Sequence, residues 1–167
     1  MGVDQSTNKI GIGIMNNGKL IHHEEINLKQ LIKNDDRFLN KEYIDRICLF
    51  KEVLLSLIKT WNVQAVAFED PVLPSNRGRI EKHKLQTYGK LKEAIGVYKV
   101  SIIEKDMLYE TYLPSEWRIG KKLGLKREDM KKNAIKYVNE KYNLNLESDD
   151  VAEGIMICEF LDKKVNK

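Results

Sequence analysis

The chain has 167 residues, 42% of them hydrophobic and 32% charged, with only 3 prolines. That is the composition of one globular domain with a sizeable core, and it excludes wholesale disorder, collagen and low-complexity scaffolds. The net charge of +4 is unevenly spread: residues 1–70 carry 9 basic and 10 acidic groups, residues 71–132 carry 15 and 8, and residues 133–167 carry 5 and 7. A basic middle third between slightly acidic flanks points to a polyanionic partner with an acidic site beside it.

No apolar run approaches the ~18 residues of a membrane span. Met1-Gly2-Val3-Asp4 has neither the basic nor the apolar region of a signal peptide, so a cytoplasmic protein without membrane contact is expected. Cys48 and Cys158 sit in apolar helical patterns far apart in sequence, which predicts two buried thiols rather than a disulfide.

A short strand is predicted at Val3. Ile10-Gly11-Ile12-Gly13-Ile14 alternates apolar residues with glycine, a strand signature, and Asn17-Gly18 is a strong hairpin turn into a strand running to Ile26. Residues 41–60 keep apolar spacings near 3.6 and predict a helix. Val63 to Phe68 is a short, nearly continuous apolar run, the mark of a central strand covered on both faces. Pro71 ends it, and a loop follows through Gly78. Residues 80–96 predict a helix, Val97–Ile103 a strand, and Met107–Tyr112 a further short strand. Pro114-Ser115-Glu116 opens a turn or helix, and residues 127–141 and 149–162 predict the closing helices. Strands interleaved with helices make this an α/β protein with an antiparallel meander on one side of its sheet.

The chemistry is expected at three acidic positions that end apolar elements. Asp4 lies in Val-Asp-Gln-Ser-Thr, Glu69 closes the most apolar strand, and Asp149, Asp150 and Glu153 open an apolar helix. A carboxylate at a strand end is half desolvated, which is costly unless it is paired or holds a metal. Asp150 and Glu153 share a helix face, as do Asp149 and Glu153. Carboxylate and water ligands suit Mg²⁺ or Mn²⁺, and about four carboxylates can hold two ions roughly 3.5–4 Å apart, an arrangement that hydrolyses phosphodiesters. Asp149 or Asp150 could also simply cap the last helix.

Other chemistries find little support. His22 and His23 are adjacent on a strand and point to opposite faces, His83 is isolated, and no zinc-binding spacing is present. There is no phosphate-binding loop. Gly11 and Gly13 lie within a strand rather than opening a helix, so no dinucleotide or other small-molecule cofactor is expected. Ser6 and Ser75 have no His/Asp partnership.

In sum of motifs, the chain resembles the RuvC-like Holliday junction resolvases of the RNase H-like superfamily. The resemblance is carried by Val3-Asp4-Gln5-Ser6-Thr7 with Lys9-Ile10-Gly11-Ile12-Gly13, by Ala67-Phe68-Glu69-Asp70, and by Ser148-Asp149-Asp150-Val151-Ala152-Glu153-Gly154. Leu113-Pro114-Ser115-Glu116-Trp117-Arg118 with Lys121 and Lys122 looks like the stretch before that family's penultimate helix. The similarity runs nearly the whole length in the right order, and looks closest to the bacteriophage-encoded branch.

The resemblance implies one RNase H-like nuclease domain over residues 1–167, with a five-stranded mixed sheet in order 3-2-1-4-5 flanked by helices. It implies catalytic, metal-binding carboxylates at Asp4, Glu69, Asp150 and Glu153, with Asp149 a spare acid able to replace Asp150. It further implies two Mg²⁺ or Mn²⁺ ions and a homodimer that nicks two opposed strands of a four-way junction in DNA recombination and repair. Such an enzyme would work in the cytoplasm, that of a bacterial host if the protein is phage-encoded. Bacterial members carry aspartate where this chain has Glu153, and usually proline where it has Gln5.

Arg77, Arg79, Lys82, His83 and Lys84 fall where the family presents groups to the junction centre. Arg118, Lys121, Lys122, Lys126, Arg127, Lys131 and Lys132 supply a second basic strip. Both are expected to meet phosphate; Tyr88 and Trp117 could stack on bases, but at helical or pre-helical positions such rings more often pack in a core or a dimer contact. Alternatives within the same fold are a nuclease acting on forks, flaps or RNA–DNA hybrids, and a non-catalytic junction-binding dimer. An actin- or sugar-kinase-type ATPase also opens on Asp then Ser/Thr, but needs two such lobes where this chain has length for one.

Overall fold

A computed structural model describes residues 1–38, 42–73 and 81–166. The chain runs β1 (Gly2–Gln5), β2 (Lys9–Asn16), β3 (Lys19–Asn27), α1 (Leu28–Lys33), α2 (Tyr43–Thr60), β4 (Ala65–Glu69), α3 (Lys82–Ile103), β5 (Leu108–Tyr112), α4 (Pro114–Trp117), α5 (Arg127–Tyr142) and α6 (Asp149–Val165). The five strands form one mixed sheet in the order β3-β2-β1-β4-β5. The pairs β3–β2 and β2–β1 are antiparallel, and β1–β4 and β4–β5 are parallel. The hairpin turns at Asn17-Gly18, both with positive φ (48° and 79°), as Asn-Gly predicts.

Strand alternation sorts the side chains into two cores. On one face Val3, Ile10, Ile12, Ile14, Val66 and Phe68 pack against Ile47, Phe50 and Leu54 of α2 and Ala94, Tyr98 and Ile102 of α3. On the other, Ala67 and Tyr112 pack with Val151, Ala152, Ile155 and Met156 of α6 and Ala134 and Val138 of α5. The glycines of β2 belong to this second face. A Cβ on Gly11 would land on the Asp150 carbonyl group, and one on Gly154 of α6 would meet the Gly11 carbonyl. Glycine on both sides therefore lets helix backbone lie directly on strand backbone. This contact sets the N-terminal turns of α6 down beside β1.

Two expectations are corrected, and the alternatives for Trp117 are decided. Val97–Ile103 is not a strand but the C-terminal third of α3. Its β-branched residues suggest a strand, yet the buried positions Ala94, Ile95, Tyr98, Ser101 and Ile102 follow the helical i, i+3, i+4 rule. The fifth strand is the one foreseen at Met107–Tyr112. Cys48 is exposed, whereas Cys158 is buried; both are free. Cys48 falls on α2 between Ile47 and Leu49, and the helical turn takes it off the buried stripe. Trp117 is fully buried, so it packs in the core and does not offer its ring to a base. The short helix α1, capped by Asn27 accepting from the Gln30 N–H, has too few residues to produce a periodic signal.

Candidate metal centre

The first two carboxylates come together through sheet register. In the parallel ladder of β1 and β4, Gly2 stands opposite Ala67 and Val3 opposite Phe68. One residue further, Asp4 and Glu69 leave the ladder side by side. Val3 and Phe68 point into the α2–α3 core, so the alternation turns Asp4 and Glu69 toward α6. Gln5 fixes the junction: its Nε2 donates to the Glu69 carbonyl at 2.7 Å. The Asp70 N–H donates to the Tyr112 carbonyl at 2.8 Å, tying the end of β4 to β5.

The third carboxylate comes from α6. Ser148 caps this helix, accepting from the Val151 N–H, and its hydroxyl donates to Glu25 at 2.6 Å, which also pairs with Lys9 at 2.7 Å. Asp4 is opposite Gly11 in the β1–β2 ladder, and the Asp150 backbone lies over Gly11. The next turn of the helix thus brings Glu153 over the strand ends. Asp4, Glu69 and Glu153 each offer an oxygen, and these atoms lie within 4.8 Å of one another.

These acids share a cramped, dry space. Burial above all, then Glu69, Glu153 and Asp150, pushes Asp4 well above the usual carboxylate range. Burial, then Glu153, pushes Glu69 up to about 7, against the pull of Arg118. Glu153 is raised by burial and Asp150 by burial and then Asp149. Every one of these shifts says that the ionised form of the cluster is disfavoured, first by burial and then by the neighbouring acids, which the cations present do not offset. One oxygen, Glu69 Oε2, is buried with no hydrogen-bond partner among the described residues. An all-oxygen donor set with a buried, unpartnered carboxylate oxygen fits a hard divalent cation such as Mg²⁺ or Mn²⁺.

Asp149 and Asp150 part company in the structure. Asp149 forms an ion pair with Lys131 of α5 and lies outside the three-oxygen cluster. Asp150 is also outside it, yet close enough for its charge to raise Asp4. Arg118 is the group whose position the sequence did not reveal. It follows α4 directly, and its Nη2 reaches Glu153 Oε1 at 3.0 Å and faces Glu69 Oε2 at 3.9 Å. Nothing in the Trp-Arg-Ile-Gly sequence distinguishes an arginine folded into an acidic cluster from a solvated one.

The basic groups fall in two places. Lys82, His83 and Lys84 open α3 and are exposed; Glu81 pairs with Lys84 at 3.1 Å and with His83 at 3.3 Å. Lys122, Lys126, Arg127 and Lys132 are exposed around the start of α5, and Lys121 turns inward to donate to the Trp117 carbonyl at 2.5 Å. Arg77 and Arg79 lie outside the described residues. Between the two groups a cleft of about 530 Å³ is lined by Gln5, Glu69, Val72, Lys84, Tyr88 and Arg127 among others, so it opens from the Glu69 end of the cluster. None of the described helices is long and apolar enough to cross a membrane.

No family model and no curated protein matches the chain. Solved structures do. RuvC of T. thermophilus in complex with a Holliday junction substrate superposes with a TM-score of 0.66 at 16% identity, covering 95% of this chain and 88% of that one. A second Thermus thermophilus RuvC structure gives a TM-score of 0.60 at 17% identity, covering 95% and 90%. The fold is therefore the RNase H-like one, in its RuvC form: a five-stranded mixed sheet in order 3-2-1-4-5 with helices on both faces.

Proposed function

We propose that this chain is a divalent-metal-dependent endonuclease that resolves four-way DNA junctions. The observation that carries the reading is the convergence of Asp4, Glu69 and Glu153 at the strand ends of a RuvC fold. The RuvC that superposes on this chain is itself bound to a Holliday junction. In this reading Asp4, Glu69 and Glu153 would hold a divalent ion, Glu69 through its unpartnered Oε2. Asp150, outside the three-oxygen cluster, would be the further ligand for a second ion, and Asp149, engaged by Lys131, keeps that lysine beside the site. Bound divalent ions supply Lewis acidity to a phosphodiester and lower the pKa of water.

The chain's own groups do the remaining work. Lys82 and Lys84 on one side of the cleft, and Lys122, Lys126 and Arg127 on the other, bind the sugar–phosphate backbone and hold a strand across the carboxylates. Gln5 and the Asp70–Tyr112 hydrogen bond keep the end of β4 from shifting as charge gathers on Glu69. Lys131 adds positive charge at the start of α5.

A single cluster cuts one strand, so paired incisions in a two-fold symmetric junction need a symmetric homodimer. The exposed faces of α2 and of the first half of α3 are the surfaces proposed for self-association. The same reading takes the chain as nearest the bacteriophage-encoded branch, working in the cytoplasm of a bacterial host on recombination and repair intermediates. The test incubates the protein with labelled four-way junction, fork, flap, duplex and RNA–DNA hybrid, with and without Mg²⁺. Mg²⁺-dependent paired nicks confined to the junction are expected. Preferential cutting of forks, flaps or hybrids reassigns the substrate, and junction binding without cleavage removes the enzyme.

A further inference from the structure

We propose that Arg118 is a resident cation of the carboxylate cluster, and that a divalent ion binds there by displacing its guanidinium. Metal loading and release of Arg118 are then one event. The inference rests on reading Asp4, Glu69 and Glu153 as the metal ligands.

Three observations carry it. Nη2 of Arg118 is 3.0 Å from Glu153 Oε1 and 3.9 Å from Glu69 Oε2, and these two residues also belong to the set whose oxygens lie within 4.8 Å of one another. An ion bonded to both residues at ~2.1 Å would sit within a few ångströms of Nη2. Like charges at that separation in a half-desolvated site repel strongly enough to change affinity by orders of magnitude. The guanidinium and the ion therefore compete for one place.

The second observation is how little the guanidinium is satisfied. A structural arginine bridge engages a carboxylate with two parallel hydrogen bonds. Here, among the described residues, Nη2 alone reaches an oxygen within hydrogen-bond distance. Nη1 has the Met130 sulfur at 3.9 Å, and Nε is buried with no hydrogen-bond partner among the described residues. Such a contact is readily exchanged. The third is a reporter built into the site: while it sits on the carboxylates the guanidinium lies 4.4 Å over the ring of Trp117, which is wholly buried, so its displacement takes it off that ring. Arginine stacks on an aromatic face and stays charged where lysine would do neither as well.

The consequence is an ordered site. Without metal, Arg118 offsets part of the repulsion among the buried acids, as its opposing effect on Glu69 and Glu153 indicates. With metal, its donors turn outward beside the bound ion, where the phosphodiester of a DNA strand would lie. Arg118 thus becomes a positioning group for phosphate only in the loaded protein.

The experiment titrates metal-stripped protein with Mg²⁺ by calorimetry, comparing wild type, Arg118→Gln, Arg118→Lys and Asp4→Asn. Arg118→Gln is expected to bind Mg²⁺ about tenfold tighter or more, Arg118→Lys to fall between it and wild type, and Asp4→Asn to lose binding. Equal or weaker binding by Arg118→Gln, with binding lost in Asp4→Asn, overturns the proposal and leaves the metal site standing. Binding that is absent from wild type, or indifferent to Asp4→Asn, overturns both. A second readout needs no change at Arg118. In a Trp61→Phe background, Trp117 emission is expected to change along the same Mg²⁺ curve as Arg118 leaves its ring. Saturation with no change in emission overturns the proposal even if Arg118→Gln does not fold.

Discussion

Replacing Glu69 by Gln should remove a pH dependence of stability that the metal-free protein carries. The folded-state pKa of Glu69 is about 7, against an ordinary 4.5, because the carboxyl is buried and faces Glu153. A raised folded value means that the native state binds the proton more tightly than the unfolded chain. This group's contribution is therefore most favourable below pH about 4.5, falls through the interval up to about 7, and is fully lost above it. At ~1.4 kcal/mol per pH unit the difference is worth about 3 kcal/mol; the Glu69 side chain is only 21% exposed, so solvent screens little of it. Gln cannot ionise and carries no such loss. Urea denaturation in chelator between pH 4.5 and 8 should show Glu69→Gln gaining about 3 kcal/mol on wild type toward alkaline pH. Groups far from the cluster titrate identically in both proteins and cancel. Saturating Mg²⁺ at pH 8 should restore the wild type and leave the variant nearly unmoved. Parallel stability curves across this range would refute the picture of an acidic cluster starved of positive charge.

Asp4→Asn should lower the cleavage rate by at least about a thousandfold while junction binding, followed by gel shift in Ca²⁺, stays the same or tightens; losing a metal ligand removes several kcal/mol of transition-state stabilisation. Gly11→Ala should destabilise the fold by about 1–3 kcal/mol, read by urea denaturation, because the added methyl meets the Asp150 carbonyl group and lifts α6; cutting should fall by about a hundredfold, since ~1 Å at Glu153 misplaces a ligand. Junction affinity should fall roughly a thousandfold between 50 and 200 mM salt if about six phosphates are neutralised by the basic strips; a flat response in fluorescence anisotropy would take them off the DNA. Light scattering at micromolar concentration should give twice the chain mass of 19.5 kDa, and a monomer that makes paired nicks would remove the symmetric arrangement.

Most of the sheet can be read from local pattern. The Asn17-Gly18 turn, the alternation in β2 and the apolar run of β4 each carry their structure within a few residues. The last third of α3, from Val97 to Ile103, defeats local reading, because its β-branched residues satisfy a strand pattern and a buried helical stripe alike. What decides is tertiary: Tyr98 stacks edge-on with Phe50 of α2, with ring centroids 4.9 Å apart, and Ile102 joins the same core. Propensity yields to packing there. Trp117 shows the converse, a residue type suited to stacking on bases that the fold uses to fill the space under α6.

The carboxylates are legible for a reason that does not extend to their cation. Asp4 and Glu69 sit where an apolar strand ends, and Glu153 lies one turn into an apolar helix. An acid in such a place is conspicuous in the sequence because burial makes it costly. Arg118 lies in a polar stretch where an arginine costs nothing, and only the turn after α4 brings its head group to Glu153 and Glu69. The glycines show how the two kinds of information meet. Gly11 and Gly154 read locally as a weak strand residue and a weak helix residue. Both are required by one close approach: the carbonyl of Gly11 fills the space where a side chain on Gly154 would be, and the Asp150 carbonyl group fills the space of one on Gly11. That one close approach of α6 to β2 sets the distance from Glu153 to Asp4. The site is therefore built as much by side chains the chain leaves out as by the acids it puts in.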